Sequence, residues 1–153
     1  MPEMLSAAER TYNVLFIQSY TKHTPWHDRL TTGLKEGLEK GGVKANVVIE
    51  YLNADYWSFS SECVIMRRIC ERARQRNTDL IVTSSDEAFY TLTHCGDSLA
   101  YQLPVVVSGI KFPDENLFKR MPNVCGYTAK NDFAALLKEA KRVYPNRTEI
   151  VCL

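Results

Sequence analysis

The sequence predicts an α/β fold, a Rossmann-like doubly wound parallel sheet, and three observations predict it. Apolar runs without polar alternation, such as Val14-Leu15-Phe16-Ile17 and Val105-Val106-Val107, read as strands covered on both faces. Between them lie stretches with a helical period, such as Leu30, Leu34 and Leu38, which step by four along one face. The two patterns alternate along the chain, and strands joined by helical crossovers pair in parallel with right-handed connections.

Each element has its own local reason. Residues 13–19 form the first strand. Residues 25–40 form a helix opened by Pro25 and stopped by Gly41-Gly42. Residues 43–51 form the second strand. Residues 60–76 form a second helix, entered through Ser60-Ser61 with Glu62 in its first turn, and Ile65, Ile69 and Ala73 face the sheet. Residues 79–84, 104–108 and 123–127 supply three further strands, 86–95 a short helix and 131–143 the last full helix. Residues 111–122 hold two prolines and are expected to be an irregular flap. Residues 148–153 begin another apolar strand, so a fragment cut at a domain crossing is expected.

Composition bounds the function. The chain has 153 residues, 45% hydrophobic and 24% charged, enough for one domain with a real core. With 19 basic against 18 acidic residues the net charge is +1, which excludes the electrostatic footprint of a nucleic-acid or anionic-membrane binder. No stretch approaches a membrane span, and the polar start is unlike a secretion signal, so no signal peptide is expected in this chain. Five cysteines without a Cys-x-x-Cys spacing argue against zinc and against a complete disulfide framework. They read as mostly buried small hydrophobes, and composition leans to the reduced state.

Ligands of open α/β sheets bind outside the carboxyl ends of the strands. Those ends carry Ser19-Tyr20, Asn53-Ala54-Asp55, Ser84-Ser85-Asp86, Ser108-Gly109 and Thr128, with Tyr20, Trp26, Tyr56, Trp57 and Phe112 nearby. Hydroxyls and helix N–H groups suit carboxylate, phosphate or sugar oxygens, and aromatic faces suit an apolar or ring-bearing ligand. The plainer reading stands beside this one. Serine, threonine and aspartate also cap helices, Asp86 is a good cap candidate, and Trp26 could staple its own helix.

Catalytic readings find no anchor. His23 and His27 are four apart, but Pro25 lies between them and no third ligand sits at metal spacing, so both read as exposed loop histidines and no metal is expected. No Gly-x-Ser-x-Gly elbow, Walker loop or Gly-x-Gly-x-x-Gly turn follows a strand. The acidic pair of a receiver domain is replaced by Gln18-Ser19. Lysine, histidine and tryptophan also fit poorly in a flavodoxin phosphate loop. No catalytic residue and no cofactor are expected.

The stretch VLFIQSYTKHTPWHDRLTTGLKEGL resembles the opening of periplasmic-binding-protein-like domains that serve as extracytoplasmic sensors of two-component histidine kinases, with relatives among ABC-transporter substrate-binding proteins. VVIEYLNADYW resembles the second strand of that family, although Asn53-Ala54-Asp55 departs from its usual Asp with basic residues. DLIVTSSDEAFYTL, LPVVVSGIKF and NVCGYTAKNDFAALLKEAKRVYPNRTEIVCL are similar to the third strand, the fourth strand, and the fifth strand with the crossing.

The resemblance runs from about residue 12 to the end. It implies one lobe, the N-terminal one, of a type I binding-protein fold, closing with a second lobe on a small molecule such as an amino acid, a sugar or another ring-bearing compound. It divides the chain into a disordered or appended tail over 1–11, the lobe over 12–144, and a crossing over 145–153. Its cleft positions fall on Ser19, Tyr20, Trp26, Ser84, Ser85, Asp86, Ser108, Gly109 and Thr128. It further implies a periplasmic or extracytoplasmic location in a membrane-anchored parent and no enzymatic activity of this chain, while the net charge of +1 leaves no nucleic-acid partner expected. The truncated strand adds the expectation of a homodimer or strand exchange through Thr148 to Leu153. A transport binding protein and a small α/β enzyme are the rival readings.

Overall fold

The computed structural model describes residues 10–22, 24–129 and 132–149. Five strands form one parallel sheet in the order β2-β1-β3-β4-β5: β1 (Tyr12–Gln18), β2 (Ala45–Tyr51), β3 (Leu80–Ser84), β4 (Val105–Ile110) and β5 (Val124–Thr128). The crossovers carry α1 (Pro25–Lys40), α2 (Phe59–Gln75), α3 (Ser85–Cys95), α4 (Leu99–Gln102) and α5 (Glu115–Arg120), and α6 (Phe133–Val143) follows β5. The strand order steps outward in both directions from β1, which makes the carboxyl ends of β1 and β3 the topological switch point.

Packing follows the alternation of side chains through the sheet. Leu15 and Ile17 of β1, Ile81 of β3, and Val105 and Val107 of β4 point to one face, where Met66, Ile69, Cys70 and Ala73 of α2 meet Ala88, Phe89 and Leu92 of α3. On the opposite face Val14, Phe16 and Val82 are covered by Leu30 and Leu34 of α1. A bulge between Ser108 and Ile110 inserts Gly109, at φ +79, so that Ile110 returns to the core face and pairs with Thr128. Gly126 is required by contact as well as conformation. A Cβ there would stand 2.0 Å from the Val107 carbonyl oxygen.

Several expectations are corrected. Residues 111–122 are not an irregular flap. Asp114 caps α5 by accepting from the Asn116 and Leu117 N–H groups at 3.0 and 3.1 Å, Leu117 is buried, and Phe118 stacks on Phe89 with centroids 5.2 Å apart. The entry to α2 is Ser58, ahead of Ser60-Ser61. The cap position of α3 is Ser84, with Asp86 in the first turn. Cysteine is not all apolar filling: Cys63 of α2 and Cys95 of α3 form a disulfide across a Cα–Cα distance of 5.1 Å. Cys70 is a buried free thiol, pushed up to about 11 by burial, and Cys125 is exposed.

Among the described residues no helix is long and apolar enough to cross a membrane. No residue of α6 is buried, and Phe133, Leu136, Leu137 and Val143 stand exposed on it. The strand expected over 148–153 and the tail expected over 1–11 both fall largely outside the described residues.

Candidate functional site

The register of the sheet lines up one row of side chains at its carboxyl edge. Tyr51 pairs with Gln18, Gln18 with Ser84, Ser84 with Ser108, and Ser108 with Tyr127, so five strands in turn place these residues side by side on the α1 face. In the layers below, the same face carries Val14, Phe16 and Val82. The change from apolar Phe16 and Val82 to polar Gln18 and Ser84 at the ends of β1 and β3 marks the floor of the candidate site.

Gln18 and Ser84 are fully buried under α1. The Gln18 amide donates to the Thr31 hydroxyl at 2.7 Å and to the His27 carbonyl at 3.3 Å, which uses both its N–H bonds and leaves its Oε1 unpaired. The Ser84 hydroxyl and His27 Nε2 are likewise buried without a hydrogen-bond partner among the described residues. Each such group costs about 1–3 kcal/mol against a solvated one. Ser85, the next residue, is 7% exposed and sits at φ +65, a left-handed conformation that costs a serine about 1 kcal/mol or more.

His27 is not the exposed loop histidine expected from sequence; it is 1% exposed. Its Nδ1 lies 3.4 Å from the Thr21 carbonyl, a group that only accepts, so Nδ1 carries the proton there. Burial holds its pKa below the usual imidazole value, with Thr21, Asp55 and Asp28 opposing more weakly. Its ring stacks on Tyr20 at 5.7 Å and 9°. The Tyr20 hydroxyl donates to Glu87 at 2.9 Å, and burial followed by that carboxylate pushes the phenol up to about 12. His23 lies outside the described residues, and no cluster fit to hold a metal occurs among those described.

The nine residues expected at the cleft all stand at this edge, in different states. Ser19 is buried and its hydroxyl is engaged twice, donating to the Ser84 carbonyl at 2.5 Å and accepting from the Ala88 N–H at 2.9 Å, so it joins β1 to the start of α3. Tyr20 is tied to Glu87. Trp26 is 57% exposed at the first turn of α1. Ser84 and Ser85 form the strained junction of β3 with α3. Asp86 accepts the N–H groups of Lys111 and Phe112, both at 2.9 Å. Ser108 is half-buried, Gly109 forms the bulge, and Thr128 is exposed at the end of β5. Gln18, His27 and Glu87 stand at the same edge and lie outside those nine. Gln18 left a legible signal, being an amide that directly follows the apolar run Val14 to Ile17.

Large aromatic side chains crowd the same edge. Besides Trp26, Tyr56 and Trp57 are exposed between β2 and α2, Phe59 at the start of α2, Phe112 after β4, and Tyr127 near the end of β5. Thr21 and Asp55 hydrogen-bond at 3.1 Å and tie the loop after β1 to the loop after β2.

No protein-family model matches the chain, and no curated protein is similar to it in sequence. Solved structures are similar in fold. The chain superposes on an ABC domain in complex with L-Trp from Streptococcus pneumoniae with a TM-score of 0.69 at 21% identity, over 90% of this chain and 45% of that one. A conserved domain protein from Vibrio cholerae gives a TM-score of 0.69 at 17% identity, again over 90% and 45%. A ligand-free, open substrate-binding protein with adhesive properties from Clostridium difficile gives 0.62 at 16%, over 88% and 44%. The chain thus spans less than half the length of these structures, and its α/β layer has the fold of one lobe of a periplasmic-binding-protein-like domain.

Proposed function

We propose that this chain is the small-molecule-sensing lobe of an extracytoplasmic sensor domain of a two-component histidine kinase. In this reading residues 12–144 form the lobe, residues from 145 lead into a second lobe, and the ligand is held between the two. Closure of two lobes on a ligand shifts a population of conformations, which a membrane-anchored kinase can read as a change in geometry. The chain itself does no chemistry.

One observation carries the ligand-binding part. Gln18, His27 and Ser84 are buried with unpaired polar atoms, and Ser85 is held in left-handed backbone, all at the switch point of the sheet. Local costs that do nothing for packing concentrate at functional sites. The fold likeness to a protein that binds L-Trp and to a substrate-binding protein supports a small ligand, and equally supports a second reading as the binding protein of an ABC transporter. The segment following the second lobe separates the two: a membrane span and dimerisation helix for the sensor, a stop for the transport protein.

The test is a thermal-shift screen of the full-length protein against amino acids, sugars, nucleosides and small carboxylates. A ligand that binds only the folded state raises the midpoint by mass action, and we expect a shift of several degrees for one class, lost in Trp26→Ala and in Ser84→Ala. No shift with any compound, in a protein whose two variants fold normally, would overturn the reading.

A further inference from the structure

The loop between β4 and α5 is exposed, yet α3 holds its backbone at four polar groups. Asp86 in the first turn of α3 accepts from the Phe112 N–H at 2.9 Å and from the Lys111 N–H at 2.9 and 3.2 Å. One turn on, the Tyr90 hydroxyl donates to the Phe112 carbonyl and accepts from the Asp114 N–H at 2.9 Å. Pro113 between them has no N–H and a fixed φ. The far end of the loop is fastened by the Asp114 cap, by buried Leu117, and by the stack of Phe118 on Phe89. Lys111, Phe112 and Asp114 thus all have partnered N–H groups. The Phe112 ring, by contrast, is 70% exposed.

Ordering a surface loop this thoroughly loses backbone entropy, and within this lobe the Phe112 ring returns little apolar burial for it. A rigid backbone presenting a bare ring is the arrangement that reduces the ordering cost when a flat apolar group stacks on it. We infer that Phe112 is a stacking platform for a ring-bearing ligand and that Asp86 and Tyr90 are positioning residues that aim it. This inference rests on the proposed ligand-binding function and narrows it to a ligand with a planar apolar group. Asp86 then acts through the loop, its carboxylate being occupied by backbone donors.

The experiment uses the full-length protein, with L-tryptophan as the aromatic probe and L-alanine, glucose and citrate as probes without a ring system, by titration calorimetry. Hydrogen exchange of the Lys111, Phe112 and Asp114 amides is followed in the same samples. Losing one aromatic stack weakens binding roughly tenfold, so Phe112→Ala is expected to lose about that factor for L-tryptophan while Phe112→Tyr stays within about threefold. Asp86→Asn and Tyr90→Phe are expected to show a similar loss together with faster exchange at those amides, whereas a merely structural role would leave the binding unmoved in the folded variants.

Unchanged L-tryptophan binding in Phe112→Ala would overturn the platform. So would wild-type Lys111 and Phe112 amides that exchange as fast as an open loop. Binding of a ringless probe without L-tryptophan would overturn the platform and leave the ligand-binding function standing. Absence of binding by every probe would count against both.

Discussion

The two faces of the sheet are packed to different depths. On one, α2, α3, α4 and α5 close over β1, β3 and β4 into a continuous core in which Ile17, Met66, Ile81, Phe89 and Leu92 are inaccessible to solvent. On the other, α1 covers only the centre. Val106 and Ser108 are half-buried, Cys125 is exposed and Tyr127 is 80% exposed on the outer strands. The thick face holds the fold, and the thin face carries the polar row from Tyr51 to Tyr127. The buried core therefore lies on one side of the strands and the polar row on the other.

The largest effect expected from this division lies on the thick face. Phe89→Ala removes a fully buried ring and its stack on Phe118, which should destabilise the protein by about 3–5 kcal/mol. Leu34→Ala on the thin face removes a half-buried side chain and should cost about 1 kcal/mol. Urea unfolding of both variants checks the ratio, and equal losses would break the comparison.

A second difference is covalent. The Cys63–Cys95 bond joins α2 to α3 on the thick face across a sequence separation of 32. Closing a loop of that length removes about 3–4 kcal/mol of unfolded-state entropy in the chain-entropy model. Cys63→Ser should lower unfolding stability by an amount of that order, and reductant should lower the wild type equally while leaving the variant unmoved. Hydrogen exchange would show the loss in α2 and α3, with the β1–α1 junction retaining its relative protection.

The fold was legible because its strands are apolar on both faces and its helices on one. Val14 to Ile17 and Leu30, Leu34 and Leu38 announce themselves by period alone. What was not legible depends on neighbours distant in sequence. The helix α5 hides between Pro113 and Pro122 and is fixed by Phe118 against Phe89, a contact no local pattern shows. The disulfide requires α2 and α3 to lie side by side, and five cysteines do not say which two will meet.

The site divides in the same way. Its edge followed from the strand ends, so all nine expected residues stand there. The task of each did not follow, because Ser19 and Asp86 read as free polar groups until Ala88, Lys111 and Phe112 come within reach.

The smallest effect tests how dry the thin face is beneath α1. His27 is buried beneath Tyr20, and burial lowers its pKa from the usual value of 6.5. Well above pH 6.5 the ring is neutral in both folded and unfolded chains and the fold keeps the full stability of the site. As pH falls below that value the unfolded chain takes up the proton first, so stability is lost down to the folded-state pKa and then levels off. The slope contributed by one imidazole cannot exceed about 1.4 kcal/mol per pH unit. His27→Phe keeps an aromatic ring against Tyr20 and removes the titration. Its unfolding free energy between pH 7 and pH 5 should therefore decline less steeply than that of the wild type, by that amount or less. Parallel curves would mean that water or an opposing charge from Asp28 or Asp55 solvates the ring in the folded state, and the thin face would then be wet beside Gln18 and Ser84.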